Sequence, residues 1–251
     1  MKGADKIFNG TADFYFRYRP RYPEELMDTI TKETGLNPKW VVADVGSGTG
    51  ILSTLFIEHG NLVKCVEPND EMRLMSIKLL SASGKVEFIK GTGESTNLLD
   101  SSVDLVACGQ SFHWLDRRLA KKEFTRILRG RKWVALVWND RVIEPGTFTG
   151  EYESVVRRYS GEYHSTGSTV LNSKDITSFF NGNYREFQLR NVQELTLESV
   201  IGRYRSASYA IKPSNPRYEN MVGDFSDVFK KYEANERVEM VYVTKLYLGH
   251  L

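Results

Sequence analysis

A chain of 251 residues with 41% apolar content is long enough for one α/β domain carrying insertions and rich enough to bury a core. Its 34 basic and 32 acidic residues leave a net charge of +2, which supplies no basic stripe for nucleic acid. No run of about 18 apolar residues offers a membrane span, and the start Met1-Lys2-Gly3-Ala4-Asp5 lacks the apolar core of a signal peptide, so a cytoplasmic protein is expected.

Strands alternate with helices through Trp138, the rhythm of a parallel α/β sheet. Tyr22 to Thr34 reads as a helix, with Pro23 in its first turn and Gly35 as its stop. Trp40 to Val45 is a short apolar strand, Thr49 to His59 a helix stopped by Gly60, and Leu62 to Glu67 a second strand. Asn69 is the expected N-cap of the next helix, with Asp70 and Glu71 favourable in its first turn. Val86 to Lys90 and Val103 to Gly109 are the third and fourth strands, Asp116 to Leu128 a helix, and Lys132 to Trp138 the fifth strand.

Beyond Asn139 the rhythm slackens. Helices are expected at Thr147–Tyr159, Ser173–Phe180, Leu197–Ser208 and Arg217–Ala234, and strands at Arg185–Leu189 and Glu239–Leu248, which would close the sheet. One domain over 1–251 is expected, with lid insertions at 140–183 and 191–238. Cys65 and Cys108 fall inside predicted strands and read as small buried apolar groups, not as a disulfide or metal site.

The informative segment is Val42-Ala43-Asp44-Val45-Gly46-Ser47-Gly48-Thr49-Gly50, a buried strand running into a glycine loop that opens a helix. In a doubly wound sheet, ligands bind beyond the carboxyl ends of the strands, near such a loop. A dinucleotide fingerprint needs a third glycine where Ile51 stands, and no Lys-Ser or Lys-Thr follows to make a P-loop. Asp44, two residues before the first glycine, would repel a pyrophosphate and suits a cation such as an ammonium or sulfonium group. Glu67 ends the second strand, 21 residues after Gly46, where a carboxylate can accept from both ribose hydroxyls.

These pieces resemble the class I S-adenosylmethionine-dependent methyltransferases, most closely the small-molecule group that includes trans-aconitate methyltransferase. The likeness rests on Asp44 to Gly50, Val66-Glu67-Pro68-Asn69 with Met72, Gly91-Thr92-Gly93-Glu94, and Gln110-Ser111-Phe112-His113-Trp114-Leu115-Asp116. Upstream, Tyr15-Phe16-Arg17-Tyr18-Arg19-Pro20-Arg21-Tyr22-Pro23 resembles the family's opening segment. The resemblance covers roughly residues 8 to 138 well. It implies a Rossmann-like α/β fold: a seven-stranded mixed sheet in the order 3-2-1-4-5-7-6, strand 7 antiparallel, with helices on both faces, a helical lid, and residues 1–35 over the cofactor.

The resemblance also implies that S-adenosylmethionine is the cofactor and implies its contacts. Asp44 and the loop Gly46-Ser47-Gly48 hold the methionine end, Glu67 the ribose, and Met72 and Pro68 the adenine. The turn at Gly93-Glu94 faces the adenine edge, Gln110 offers backbone to the amino-acid portion, and Tyr15 and Arg19 close over the carboxylate. One departure is local: where the family turns into strand 5 with Pro-Gly-Gly, this chain reads Leu128-Arg129-Gly130-Arg131-Lys132.

Methyl transfer from a sulfonium is an in-line displacement, and a general base is needed only when the nucleophile begins protonated. His113 is the candidate base, or else shapes the pocket; Trp114 walls the acceptor site or packs in the core. His59, His164 and His250 have no supporting partners in sequence. Arg157, Arg158, Tyr159, Tyr163, Arg203, Tyr204, Arg205 and Tyr209 would fit an anionic acceptor under a lid, and equally a solvated helix face. The leading expectation is methylation of a small molecule, with a carboxylic acid methylated on oxygen, by a monomer or homodimer that engages neither membrane nor nucleic acid. The alternatives are an RNA or protein methyltransferase and a non-catalytic S-adenosylmethionine-binding protein.

Overall fold

The computed structural model describes residues 12–160 and 173–251. Its seven strands are β1 (Val41–Val45), β2 (Leu62–Val66), β3 (Val86–Ile89), β4 (Val103–Gly109), β5 (Leu128–Arg141), β6 (Tyr184–Leu195) and β7 (Val238–His250). They form one sheet in the order β3-β2-β1-β4-β5-β7-β6, parallel except for β7, which runs antiparallel to both β5 and β6. This is the topology the resemblance implies. The inner strands are near-continuous apolar runs because helices cover both faces.

On one face lie α2 (Glu25–Thr34), α3 (Ile51–Glu58) and α4 (Asp70–Leu80), sending Leu26, Ile30, Phe56 and Leu80 against Val42, Leu105 and Val137. On the other face, α5 (Arg117–Ile127) and α7 (Ser173–Phe180) send Phe124, Ile127, Phe179 and Phe180 against Val106, Val134 and Leu136. Asn69 caps α4 by accepting the Met72 N–H at 2.9 Å, and Asp116 caps α5 by accepting the Leu119 N–H at 3.0 Å.

A third apolar core sits apart from these two. It joins α6 (Phe148–Tyr159), α8 (Leu197–Arg205) and α9 (Tyr218–Tyr232) to the overhanging ends of β6 and β7 through Tyr152, Tyr204, Phe225, Leu195 and Tyr242. This helical cap stands over the carboxyl ends of β1 and β4. The opening segment is itself a helix, α1 (Ala12–Tyr18), which packs on α8.

The largest boundary differences from the sequence reading lie in β5 and β6. β6 runs on to Leu195 and β5 to Arg141, so residues 140–141 and 191–195 belong to the sheet and not to the insertions. β6 is an edge strand studded with Arg185, Glu186, Arg190 and Glu194, which hides the alternation that marks a strand while blocking edge pairing. β5 begins at Leu128, and its departure from Pro-Gly-Gly is absorbed by left-handed backbone at Gly130 (φ +60°) and Lys132 (φ +56°). Tyr163 and His164 lie outside the described residues.

Candidate active site

Two adjoining cavities open at the carboxyl ends of β1 and β4. The inner one, about 480 Å³, is lined by Tyr15, Arg19, Tyr22, Asp44, Gly46, Ser47, Gly48, Gln110, Asn139 and Arg203. The outer one, about 500 Å³, shares Tyr15, Gly46, Gly48 and Gln110 and adds Glu67, Pro68, Met72, Ser111 and Trp114. Eleven residues singled out in sequence therefore meet in one place: Tyr15, Arg19, Asp44, Gly46, Ser47, Gly48, Glu67, Pro68, Met72, Gln110 and Trp114. Gly93, Glu94 and His113 are absent from both linings.

Asp44 is fixed by β1 and by α3, whose Ser53 hydroxyl donates to its Oδ2 at 2.6 Å. Its other oxygen, Oδ1, is buried without a partner. Burial pushes the carboxyl up to about 7 against the lowering effect of Ser53, and the nearby Glu67 charge adds to the rise.

Glu67 follows β2. Its Oε2 accepts the Gly48 N–H at 2.9 Å and its Oε1 accepts the Asn69 N–H at 2.8 Å. Burial raises this carboxyl too, while those two backbone donors pull it back. Glu67 thus ties the glycine loop to the start of α4. Gly46 is required here: a Cβ would sit 2.5 Å from the Ser111 Cβ, whose hydroxyl donates to the Val45 carbonyl at 2.6 Å.

Gln110 ends β4 in left-handed backbone, φ +56°, a conformation that costs a non-glycine residue on the order of 1–3 kcal/mol and clusters at ligand sites. Its N–H donates to Val137 O at 2.9 Å and its side chain to Asn139 O at 3.2 Å, joining the ends of β4 and β5. Asn139, which no motif singles out, accepts from Thr244 Oγ1 at 2.5 Å and from Asn191 at 3.2 Å.

The cation side is built from α1 and the cap. The Arg19 guanidinium lies 4.7 Å over the Tyr15 ring and donates from Nη2 to Ser206 O at 2.9 Å; its Nε is buried without a partner. Arg203 enters from α8.

Three sequence candidates line neither cavity. Gly93 lies against Leu115, where a Cβ would come 2.5 Å from its Cδ1. Glu94 accepts the Asp116 N–H at 2.8 Å. His113 receives the Trp138 indole N–H on Nδ1 at 3.4 Å and lies 4.9 Å from the Trp114 ring. Burial lowers its pKa to about 4, against the raising effect of Asp140, so the ring is neutral at pH 7.

The chain is 37% identical over 134 residues to an uncharacterized methyltransferase of Mycobacterium tuberculosis, a match covering 53% of this chain and 52% of that protein. The chain thus spans about half the length of the mycobacterial relatives it matches. A methyltransferase-like protein of Schizosaccharomyces pombe is 26% identical over 246 residues, 95% of this chain and 93% of that one. A protein of Anaeromyxobacter dehalogenans, provisionally named a type II methyltransferase, superposes with a TM-score of 0.66 at 18% identity, over 93% of this chain and 98% of that one. The fold is therefore the Rossmann-like fold of methyltransferases, and residues 43–136 match the family model described as a methyltransferase domain.

Proposed function

We propose that this chain is an S-adenosylmethionine-dependent methyltransferase of small molecules, and that its acceptor is a carboxylic acid methylated on oxygen. The observation that carries the reading is the Asp44 Oδ1, a buried carboxylate oxygen with no protein partner on the wall of a cavity. Such an atom is costly unless a cation meets it, and the cofactor's ammonium is one.

The other residues fit the same ligand. Gly46, Ser47 and Gly48 surround the methionine end with Asp44, and Gln110 adds backbone. Arg19 and Tyr15 take the carboxylate. Each Glu67 oxygen accepts one backbone N–H and keeps lone-pair capacity for a ribose hydroxyl. Pro68 and Met72 receive the adenine, with the Gly93-Glu94 turn behind them against Leu115 and Asp116. When bound, the cofactor supplies an electrophilic methyl on a sulfonium, so attack by an acceptor oxygen breaks the methyl–sulfur bond and leaves its electron pair on a neutral thioether.

His113 bears on which acceptor. With the Trp138 N–H on Nδ1, the ring's own proton sits on Nε2, and no lone pair is free to take another. That favours a nucleophile already ionised at neutral pH, as a carboxylate is, with His113 backing Trp114, which walls the outer cavity. The net charge of +2 favours a small-molecule acceptor over nucleic acid. Two free buried thiols fit a reducing, cytoplasmic compartment.

The test is thermal shift with S-adenosylmethionine, S-adenosylhomocysteine and NAD, followed by mass spectrometry of a metabolite extract incubated with methyl-labelled cofactor. Both sulfur ligands should raise Tm, and label should appear in a carboxylic ester. Stabilisation by NAD alone would sink the reading.

A further inference from the structure

Arg203 is 4% exposed on α8 and lines the inner cavity. Its Nε donates to the Tyr242 hydroxyl at 3.3 Å, and its Nη1 is buried without a partner. Among the described residues no carboxylate forms an ion pair with it, whereas the neighbouring Arg141 is paired with the buried Glu153 at 2.7 Å. Instead Arg203 sits among phenols. Tyr242, Tyr152 and Tyr209 all act on it electrostatically, and the Tyr152 hydroxyl is itself fully buried without a partner. A buried cation that lines a cavity with a donor left unsatisfied forms a site built for an anion.

Charge balance says which anion. Asp44, Arg19 and Arg203 line one cavity. On the reading above, a zwitterionic amino-acid end sets its ammonium against Asp44 and its carboxylate against Arg19. That leaves the Arg203 charge unmatched in a region of low dielectric.

We propose that Arg203 anchors the carboxylate of the methyl acceptor; this rests on the methyltransferase reading. With Nε committed to Tyr242, the guanidinium holds the carboxylate through its remaining N–H groups, and an oxygen so held keeps lone-pair capacity for attack on the methyl. The same contact separates substrate from product. An ester has lost the charge that pairs with Arg203, so methylation weakens the hold on the molecule just made.

The experiment titrates wild type, Arg203→Gln and Arg203→Lys with S-adenosylhomocysteine. It then titrates each, saturated with that ligand, with short mono-, di- and tricarboxylates, their methyl esters and inorganic phosphate. In wild type at least one carboxylate should bind, at least about tenfold more tightly than its ester. Arg203→Gln should weaken the acid about tenfold or more, leaving the ester and S-adenosylhomocysteine within about threefold, and Arg203→Lys should keep part of the preference. Loss of S-adenosylhomocysteine binding in Arg203→Gln would overturn the proposal by assigning Arg203 to the cofactor. So would unchanged acid affinity in that variant, or phosphate binding where no carboxylate does. A wild type that fails to bind S-adenosylhomocysteine brings down the methyltransferase reading as well; one that binds it but no carboxylate brings down only the anchor.

Discussion

At the carboxyl ends of β1 and β2, the sheet body meets the cavity with carboxylates held by main chain and short hydroxyls: Glu67 on the Gly48 and Asn69 amides, Asp44 on Ser53. Across the cavity, α1 and the cap meet it with guanidiniums held by aromatic rings and phenols: Arg19 over Tyr15, Arg203 on Tyr242. The first wall lies within residues 43–136, the stretch carrying the methyltransferase-domain pattern; the second lies wholly outside it. One wall can therefore be common to a fold while the other is particular to a chain, which is how one scaffold serves many acceptors.

Asp44→Asn tests the sheet wall hardest, because two effects of opposite sign are expected. Loss of a charge-assisted contact to an ammonium, worth roughly 1.5–3 kcal/mol, should weaken S-adenosylhomocysteine by about ten- to a hundredfold. Stability should move the other way. The folded carboxyl titrates near 7, above its ordinary 3.8. Between those values the folded protein keeps a proton that the unfolded chain releases, so this group's contribution falls as pH rises through that window. Removing it should stabilise the ligand-free protein above pH 7, by up to an order of 4 kcal/mol. Calorimetry at pH 6 and pH 8 should show wild-type affinity rising with pH and the variant flat. A variant that is both weaker in binding and less stable at pH 8 would break the assignment.

Glu67→Gln should act less strongly. A carboxylate accepts both amides, whereas a carboxamide offers one accepting oxygen, so either Gly48 or Asn69 loses its partner at about 1–3 kcal/mol. Cofactor affinity should fall roughly tenfold, and Tm should fall with it, unlike in Asp44→Asn. Titration with unchanged affinity would remove Glu67 from the ribose.

The seam between the walls is tested by Gly202→Ala. A Cβ at Gly202 would lie 2.4 Å from the Tyr18 ring, and α1 is held to the cap there by Tyr18 Oη donating to Glu198 at 2.9 Å and by Arg205 4.1 Å over Phe14. Overpacking of this kind costs about 1–3 kcal/mol. Hydrogen exchange should rise in residues 12–18, and cofactor affinity should drop several-fold because Arg19 follows directly on that helix. Protection unchanged in 12–18 would show that α1 does not depend on this contact.

The two walls were not equally legible in the sequence. Asp44 and Glu67 stand at the ends of strands whose apolar runs and glycine stop are local signals, and both reach the cavity. α1 gave no such signal: Ala12–Tyr18 is only seven residues long, its one polar stripe is the exposed Asp13–Arg17 pair, and its partner is a helix 180 residues downstream. β6 hid its length behind edge charges. Arg203 was visible only as one of a crowd of arginines and tyrosines. What distinguishes it from Arg157 and Arg158, which pair with Glu153 and Asp224, is a missing carboxylate, and only the fold reveals that. The strained backbone of Gln110 was equally hidden, since nothing in a glutamine announces a left-handed residue.

His113→Gln should have the smallest effect, and it asks whether the sheet wall does any proton chemistry. From sequence, His113 could have been a base poised near neutrality or a pocket residue. The structure sets its ring against Trp138, a residue of the adjacent strand 25 positions away, and burial holds its pKa near 4. Sign follows from that shift: the neutral ring is favoured in the folded state, so its contribution to stability is present above about 6.5 and is lost as pH falls toward 4. Turnover should accordingly show no limb near 6–7 that belongs to His113. A general base would contribute about 10²–10⁴-fold, so its loss would be unmistakable. Gln keeps an acceptor for the Trp138 indole, and kcat should stay within a few-fold of wild type while KM for the acid moves more. A pH–rate profile of both proteins with the identified acceptor decides the matter. A hundredfold loss of kcat at unchanged KM would mean that the acceptor carries a proton that must be removed, and the carboxylate assignment would fall with it.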